Sequence, residues 1–218
     1  MKKICLFFIL FLIPFGVSAE ELNLAPNAKS SIMIEYSTGE VIYANNANER
    51  LAPASMTKIM SLILIMESIE DGRLKWNDII VVSKNAASMG GSQIFLEANE
   101  MMSVEDLVKG ICIASGNDAT VALAEKIAGT ESAFVSLMNA KVKELGLKNT
   151  NFVNSTGLDA ENHYSTAYDM AMMAKELIKH EKILEFSSIY EDYLRQNTDN
   201  KFWLVNTNKV VYKNYYSR

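Results

Sequence analysis

Two short apolar runs with β-branched residues, at 31–36 and 41–44, are separated by Ser37-Thr-Gly-Glu40. Runs of this length joined by a Gly-containing connection predict a β-hairpin, with Gly39 supplying the positive φ of the turn. A hairpin cannot bury its apolar face alone. The helices that follow are therefore expected to pack on a sheet that this hairpin begins.

A mostly helical block follows the hairpin, with residues 73–102 of mixed pattern. A long apolar helix is predicted over residues 55–70, ending at Asp71-Gly72. Ser103 and Asp106 have the spacing of a capping box, which predicts a second helix to about Ala114. Ser115-Gly116-Asn117 interrupts the pattern. Further helices are predicted over residues 118–128, 131–145 and 166–177. A short strand is predicted at 78–83, and a β-like aromatic tail beyond residue 185.

The first nineteen residues have the pattern of a secretory signal peptide. Lys2 and Lys3 precede an apolar run over residues 4–15, and Val17-Ser18-Ala19 offers a small-residue cleavage site. The alternative is an uncleaved membrane anchor, although the run is short for a bilayer span. We expect residues 1–19 to be the signal peptide, residues 20–218 to form the domain, and the protein to be exported.

Composition narrows the function classes. The 218 residues suffice for one domain or most of a larger one, and a net charge of −5 without a basic stretch argues against nucleic-acid binding. Once Cys5 leaves with the signal peptide, Cys112 has no partner, which excludes a disulfide framework and a cysteine-rich metal site. Its apolar helical surroundings predict a buried, inert thiol.

Ser55 and Lys58 are the strongest candidates for chemistry. A serine hydroxyl is a poor nucleophile in water and needs a neighbouring base. Helix positions three apart lie on one face, so Ser55 and Lys58 can share a hydrogen bond. Ser55 also lies at a helix N-terminus, where free N–H groups favour developing negative charge. Lys58 can act as a base only if desolvation or a nearby positive charge lowers its pKa.

S-x-x-K alone is a weak pattern, but Ser115-Gly116-Asn117 follows it between two predicted helices. The pair of motifs resembles that of penicillin-binding proteins and serine β-lactamases. The strings Leu51-Ala-Pro-Ala-Ser-Met-Thr-Lys58 and Ala114-Ser-Gly-Asn-Asp118 are similar to those of the low-molecular-mass D-alanyl-D-alanine carboxypeptidases, as are Gly146-Leu-Lys-Asn-Thr150 and Gly157-Leu-Asp159. The resemblance extends from about residue 28 to residue 210.

This resemblance implies an α/β (α+β) fold of the β-lactamase/transpeptidase type, with a central antiparallel sheet, a helical block and the active site between them. It implies that Ser55 is acylated by a peptidoglycan stem peptide ending in D-Ala-D-Ala, and that Lys58 takes the Ser55 proton. Ser115 would relay a proton to the leaving amine, and Asn117 would hold the substrate or Lys58. No metal or cofactor is implied, and β-lactams are expected to acylate Ser55.

The third motif of that family, K-T-G, does not occur in this sequence. Lys209 and Lys213 are not followed by Thr-Gly, and Ser37-Thr-Gly39 and Ser155-Thr-Gly157 lack the lysine. In the family this motif binds the substrate carboxylate, and a backbone N–H beyond it completes the oxyanion hole. The sequence is therefore interpreted as a partial catalytic domain with its C-terminal strands missing. Membrane association is then expected only through the signal peptide or a missing C-terminal segment.

Two alternatives stay open. One is a β-lactamase or esterase on the same fold, and the other is an inactive fragment or non-catalytic wall-binding relative. His163 and His180 suggest a Ser-His-Asp triad, but neither is needed if Lys58 is the base. We expect His163 to be solvated in a polar loop and His180 to lie near a helix C-terminus.

Overall fold

The computed structural model describes residues 24–212, so the predicted signal peptide lies outside the described residues. The strands are β1 (Ser31–Ile34), β2 (Val41–Asn45), β3 (Ile79–Val81), β4 (Met101–Ser103), β5 (Glu191–Leu194) and β6 (Phe202–Val205). The helices are a 3-10 turn (Ala54–Thr57), α1 (Lys58–Glu70), α2 (Lys84–Ala87), α3 (Val104–Ala114), α4 (Asn117–Ala128), α5 (Glu131–Glu144), α6 (Ala167–Leu177), α7 (Glu181–Ser187) and α8 (Lys209–Tyr212).

Antiparallel pairing joins the strands in three two-stranded sheets, β1–β2, β3–β4 and β5–β6. The predicted first hairpin is confirmed, with Ile32 opposite Ala44 and Gly39 at φ +78° in its turn. The Glu35 carboxylate accepts hydrogen bonds from the N–H and hydroxyl groups of Ser37 and Thr38, which fixes this turn. Mixed helices and antiparallel strands agree with the predicted fold class.

Helix α1 forms the centre of the helical block. Its side chains from Met60 to Met66 are buried on all sides, as expected of an apolar helix that packs between other elements. It contacts α4, α5 and α6. The long apolar run of the sequence is thus a core helix, and its N-terminal end remains accessible where Ser55 precedes it.

Helix caps follow the sequence closely. Ser103 accepts a hydrogen bond from the Asp106 N–H at the start of α3, and Thr130 and Thr166 cap α5 and α6 in the same way. The prediction was least informative beyond residue 185, where the structure has α7 and the β5–β6 hairpin. Within residues 24–212, no helix has the length and apolarity needed to cross a bilayer.

Candidate active site

Ser55 lies in the 3-10 turn that leads into α1, and its side chain is exposed. The Lys58 Nζ donates a hydrogen bond of 3.3 Å to the Ser55 Oγ. The predicted pairing of these two residues is therefore confirmed. The preceding residue, Ala54, has φ +49°, a left-handed conformation that a non-glycine residue adopts at a cost.

The Lys58 amine is almost completely buried, with 4% of the residue exposed. Burial lowers the pKa of Lys58 from 10.5 to about 8, because the charged form loses its hydration. Its second partner is the carbonyl oxygen of Thr156, 2.8 Å from Nζ. Lys58 is thus held between Ser55 and Thr156 in a site that favours its neutral, basic form more than water does.

The loop that carries Thr156 packs directly on the Ser55 turn. A Cβ added at Gly157, which has φ +87°, would lie 1.8 Å from the Ala54 carbonyl oxygen. The same loop is fixed by Ser61, whose hydroxyl donates to the Ser155 carbonyl oxygen at 2.7 Å. Sequence reasoning missed the role of Thr156, because a backbone carbonyl leaves no signature in a side-chain pattern.

Ser115 and Asn117 follow α3 at the interruption predicted from the sequence. Ser115 has φ +58° and ends α3, and Asn117 begins α4. The Asn117 Nδ2 donates to the Gly90 carbonyl oxygen at 2.7 Å. The Asn117 Oδ1 is buried and, among the described residues, has no hydrogen-bond partner. Its hydrogen-bonding capacity is therefore unused in this part of the chain.

Ser55, Lys58 and Ser115 line a single cavity of about 360 Å³. The rest of its wall is contributed mainly by apolar side chains of α1, α3, α6 and α7: Ile59, Leu62, Ile111, Leu177, Ile183 and Leu184. Three of the four predicted site residues thus meet at one cavity. Asn117 does not line this cavity.

His163 departs from the sequence prediction. The residue is 6% exposed, so the expectation of a solvated side chain is wrong. Its Nε2 lies 2.8 Å from the Thr57 Oγ1, and its Nδ1 accepts a 3.0 Å hydrogen bond from the Val153 N–H. His180 pairs instead with Glu70 at the other end of α1.

Cys112 lines the cavity, and the residue is partly rather than fully buried. Burial raises the pKa of Cys112 to about 12, which keeps the sulfur protonated at neutral pH. The prediction of an inert thiol agrees with this environment.

The sequence pattern of the peptidase S11 family, described as D-alanyl-D-alanine carboxypeptidase, matches residues 16–217. The chain is 63% identical over 189 residues to the D-alanyl-D-alanine carboxypeptidase DacF of Bacillus subtilis (strain 168), an alignment covering 87% of this chain and 49% of the relative. It is 38% identical over 213 residues to DacC of Escherichia coli (strain K12), with 94% of this chain and 52% of the relative covered.

The fold is similar to those of solved penicillin binding proteins. Penicillin binding protein 6B from Escherichia coli superimposes with a TM-score of 0.80 at 32% identity, covering 92% of this chain and 62% of that chain. Penicillin binding protein 5 from Haemophilus influenzae also gives 0.80, at 33% identity, with coverages of 85% and 54%. The chain spans about half the length of the curated relatives it matches. The predicted transpeptidase-like fold is confirmed.

Proposed function

Because this chain belongs to the D-alanyl-D-alanine carboxypeptidase family, we propose that it removes the terminal D-alanine of peptidoglycan stem peptides through an acyl-enzyme on Ser55. The observation that carries this proposal is the Lys58 amine. It lies 3.3 Å from the Ser55 Oγ, and burial brings its pKa down to about 8. A neutral amine within hydrogen-bonding distance of a serine hydroxyl can act as the general base that activates the serine as a nucleophile.

The proposed acylation step begins with neutral Lys58. Its Nζ takes the proton of the Ser55 hydroxyl while the Oγ bonds to the carbonyl carbon of the penultimate D-alanine. The C–N bond to the terminal D-alanine then breaks, and the leaving amine takes up a proton. Water, deprotonated by Lys58, cleaves the resulting ester and restores the Ser55 hydroxyl. Every proton transfer in this scheme uses a side chain of the chain itself.

We propose that the Ser115 hydroxyl, which lines the same cavity as Ser55 and Lys58, passes the proton held by Lys58 on to the leaving amine, so that Lys58 is neutral again before it deprotonates the water. Asn117 is proposed to bind substrate, since it begins α4 two residues after Ser115 and its Oδ1 lacks a hydrogen-bond partner among the described residues. A stem peptide ending in D-Ala-D-Ala is the proposed partner, and β-lactams are the proposed covalent inhibitors. The chain would therefore act outside the cytoplasmic membrane, in cell-wall biogenesis.

Labelling with a fluorescent penicillin tests the nucleophile. The full chain should acquire a covalent label, and the Ser55→Ala variant should acquire none. Ser132→Ala is the matched control, because Ser132 is exposed on α5 and should leave labelling unchanged. An unlabelled wild-type chain, with its fold verified by circular dichroism, would contradict the proposal.

Product analysis separates the three possible activities. Release of D-alanine from a synthetic stem peptide, together with a long-lived penicillin adduct, supports the carboxypeptidase. Rapid turnover of the penicillin would show a β-lactamase or esterase. Binding of the stem peptide without D-alanine release would show a non-catalytic wall-binding protein.

A further inference from the structure

His163 is a buried polar residue that the proposed mechanism does not use. Residues 151–165 form a loop whose two ends are joined by the bridge between Asn151 and Tyr164. The loop contacts the segment before the Ser55 turn through the bridge between Leu51 and Ser165. This pairing places His163 behind Thr57, in the middle of the Ser55-Met56-Thr57-Lys58 motif.

The hydrogen bonds of His163 determine its tautomer. The Val153 N–H can only donate, so the Nδ1 that it contacts at 3.0 Å must carry a lone pair. The single proton of the neutral ring is therefore on Nε2, and Nε2–H donates to the Thr57 Oγ1 at 2.8 Å. A doubly protonated ring would direct an Nδ1–H at the Val153 N–H, and that hydrogen bond would break.

Both partners of His163 connect to the catalytic residues. Thr57 is the residue before Lys58, and Val153 lies three residues before Thr156, whose carbonyl oxygen binds the Lys58 Nζ. The imidazole thus joins the turn that carries the nucleophile to the loop that holds the base. In addition, the backbone N–H of His163 donates to the Ala160 carbonyl oxygen at 3.2 Å, which forms a turn within the loop.

The surroundings of the ring favour the neutral form. Burial lowers the pKa of His163 below its usual value, and the nearby Asp159 carboxylate opposes this only in part. Phe152 packs against the ring, and Thr57 faces it from the 3-10 turn without charge. The charged groups at this end of the loop have other partners: the Lys58 amine donates to the Thr156 carbonyl oxygen, and the Glu131 carboxylate of α5 accepts from Ser155.

We propose that His163 is a positioning residue, which as the Nε2–H tautomer fixes the Ser55–Lys58 turn on the 153–157 loop and releases it when protonated. This inference rests on the proposed function of the same site. It adds a second group whose deprotonation the acylation requires, besides Lys58.

The first test compares acylation by a fluorescent penicillin in His163→Leu, His163→Gln and Ser68→Ala. The second-order rate constant of acylation should be at least about tenfold lower in His163→Leu than in the wild type, because a small displacement of catalytic groups greatly slows the reaction. Glutamine can donate and accept with its amide and should recover most of that loss. Ser68, buried at the far end of α1 and bonded to Leu64, controls for a lost buried hydrogen bond away from the site.

The pH profile distinguishes positioning from a general loss of stability. In the wild type, the logarithm of the acylation rate constant should rise with slope 1 below the pKa of Lys58. The slope should steepen to 2 below the pKa of His163, because both groups must then lose a proton. In His163→Gln the slope should stay at 1. An unchanged rate in His163→Leu, or a steepening that persists in His163→Gln, would overturn the inference.

A measurement that needs no activity separates this inference from the proposed function. Nitrogen NMR of the wild type should show Nδ1 as the unprotonated ring nitrogen of His163. An NMR titration should show the pKa of Lys58 rising from about 8 toward 10.5 in His163→Leu, since a loosened loop admits water, and unchanged in Ser68→Ala. If the wild type is not acylated, the proposed function fails while this titration still decides the role of His163. An unshifted Lys58 pKa in folded His163→Leu would overturn it.

Discussion

At Lys58, the fold holds an amine where its charged form is poorly solvated. The cause is burial behind the Ser55 turn, and within residues 24–212 the Lys58 amine donates hydrogen bonds to the Ser55 hydroxyl and the Thr156 carbonyl oxygen. Neither partner carries a negative charge to offset the lost hydration. The same burial that lowers the pKa of Lys58 therefore opposes folding while the amine is protonated.

This opposition predicts a pH-dependent stability. The unfolded chain keeps the Lys58 proton up to pH 10.5, while the folded chain loses it near pH 8. Between these values the unfolded chain binds more protons, so the free energy of unfolding should rise with pH, by about 3 kcal/mol in total. Urea unfolding across this range measures it. In Lys58→Met this contribution should be absent, and identical pH dependence in the two proteins would refute the assignment.

The close contact between the 153–157 loop and the Ser55 turn requires that Gly157 has no Cβ atom. In Gly157→Ala the new Cβ would overlap the Ala54 carbonyl oxygen, at a residue with φ +87°. We expect a loss of about 3 kcal/mol or more in the free energy of unfolding, because both backbone strain and a clash are added. Penicillin labelling should also fall, since the clash separates the loop from the Ser55 turn.

Gly129→Ala is the matched control for that substitution. Gly129 has φ +82°, but nothing lies within 4 Å of an added Cβ. Its replacement should cost only the left-handed backbone penalty, about 1–2 kcal/mol. Equal losses in the two variants would show that the contact between Gly157 and Ala54 is unimportant.

At the scale of elements, helix caps position the interruption that carries Ser115. Helix α3 begins at Ser103, whose hydroxyl accepts from the Asp106 N–H, and ends at Ser115. Because a helix is a nearly rigid element, its N-terminal cap and its C-terminal site residue are mechanically linked. The capping box predicted from the sequence thus contributes to the placement of a site residue at the other end of the 11-residue helix.

Removing this cap should destabilise the protein measurably. Ser103→Ala is expected to lower the free energy of unfolding by about 1 kcal/mol, since one N-terminal N–H group loses its acceptor. Urea denaturation measures the difference. Ser136→Ala, at an exposed interior position of α5, should change stability by less than about 0.5 kcal/mol. A Ser103→Ala variant as stable as the control would contradict the cap.

At the scale of the whole molecule, Arg195 ties the β5–β6 hairpin to the segment before β4. Its guanidinium pairs with the Glu100 carboxylate and donates to the carbonyl oxygens of Ile94 and Phe95. Burial raises the pKa of Glu100, but the hydrogen bonds from Arg195 and the Glu97 N–H outweigh it, and the net pKa is lowered. From the opposite side, Asp118 binds the N–H groups of the same segment.

Breaking this pair should cost more than breaking a surface pair. Arg195→Met leaves the partly buried Glu100 carboxylate without its cationic partner, and we expect a loss of about 2–3 kcal/mol in the free energy of unfolding. The double variant Arg195→Met/Glu100→Gln should recover part of it. Lys179→Met, which breaks an exposed pair with Glu176, should cost less than about 0.5 kcal/mol in the same urea assay. Equal effects in both single variants would show that Arg195 does not fasten the hairpin.

The sequence alone determined the features that depend on residues a few positions apart. Helix periodicity, the Ser103 cap, the first hairpin and the Ser55–Lys58 pair all arise from contacts between residues that are close in the sequence. Spacing along the chain therefore encodes them directly. The later β5–β6 hairpin was not predicted, because its strands are short and the aromatic and polar residues around them lack a clear alternation.

The tertiary structure decided whether those residues form a chemical site. Lys58 meets Thr156 across 98 positions of sequence, and Thr57 meets His163 across 106. Solvent exclusion lowers the pKa of Lys58 and keeps His163 from the solvated state that its polar neighbours suggested. Exclusion of water is a property of packed segments rather than of local spacing. The sequence could therefore single out Ser55 and Lys58 as the proposed nucleophile and base, and only the packed loop shows how the Lys58 amine is held.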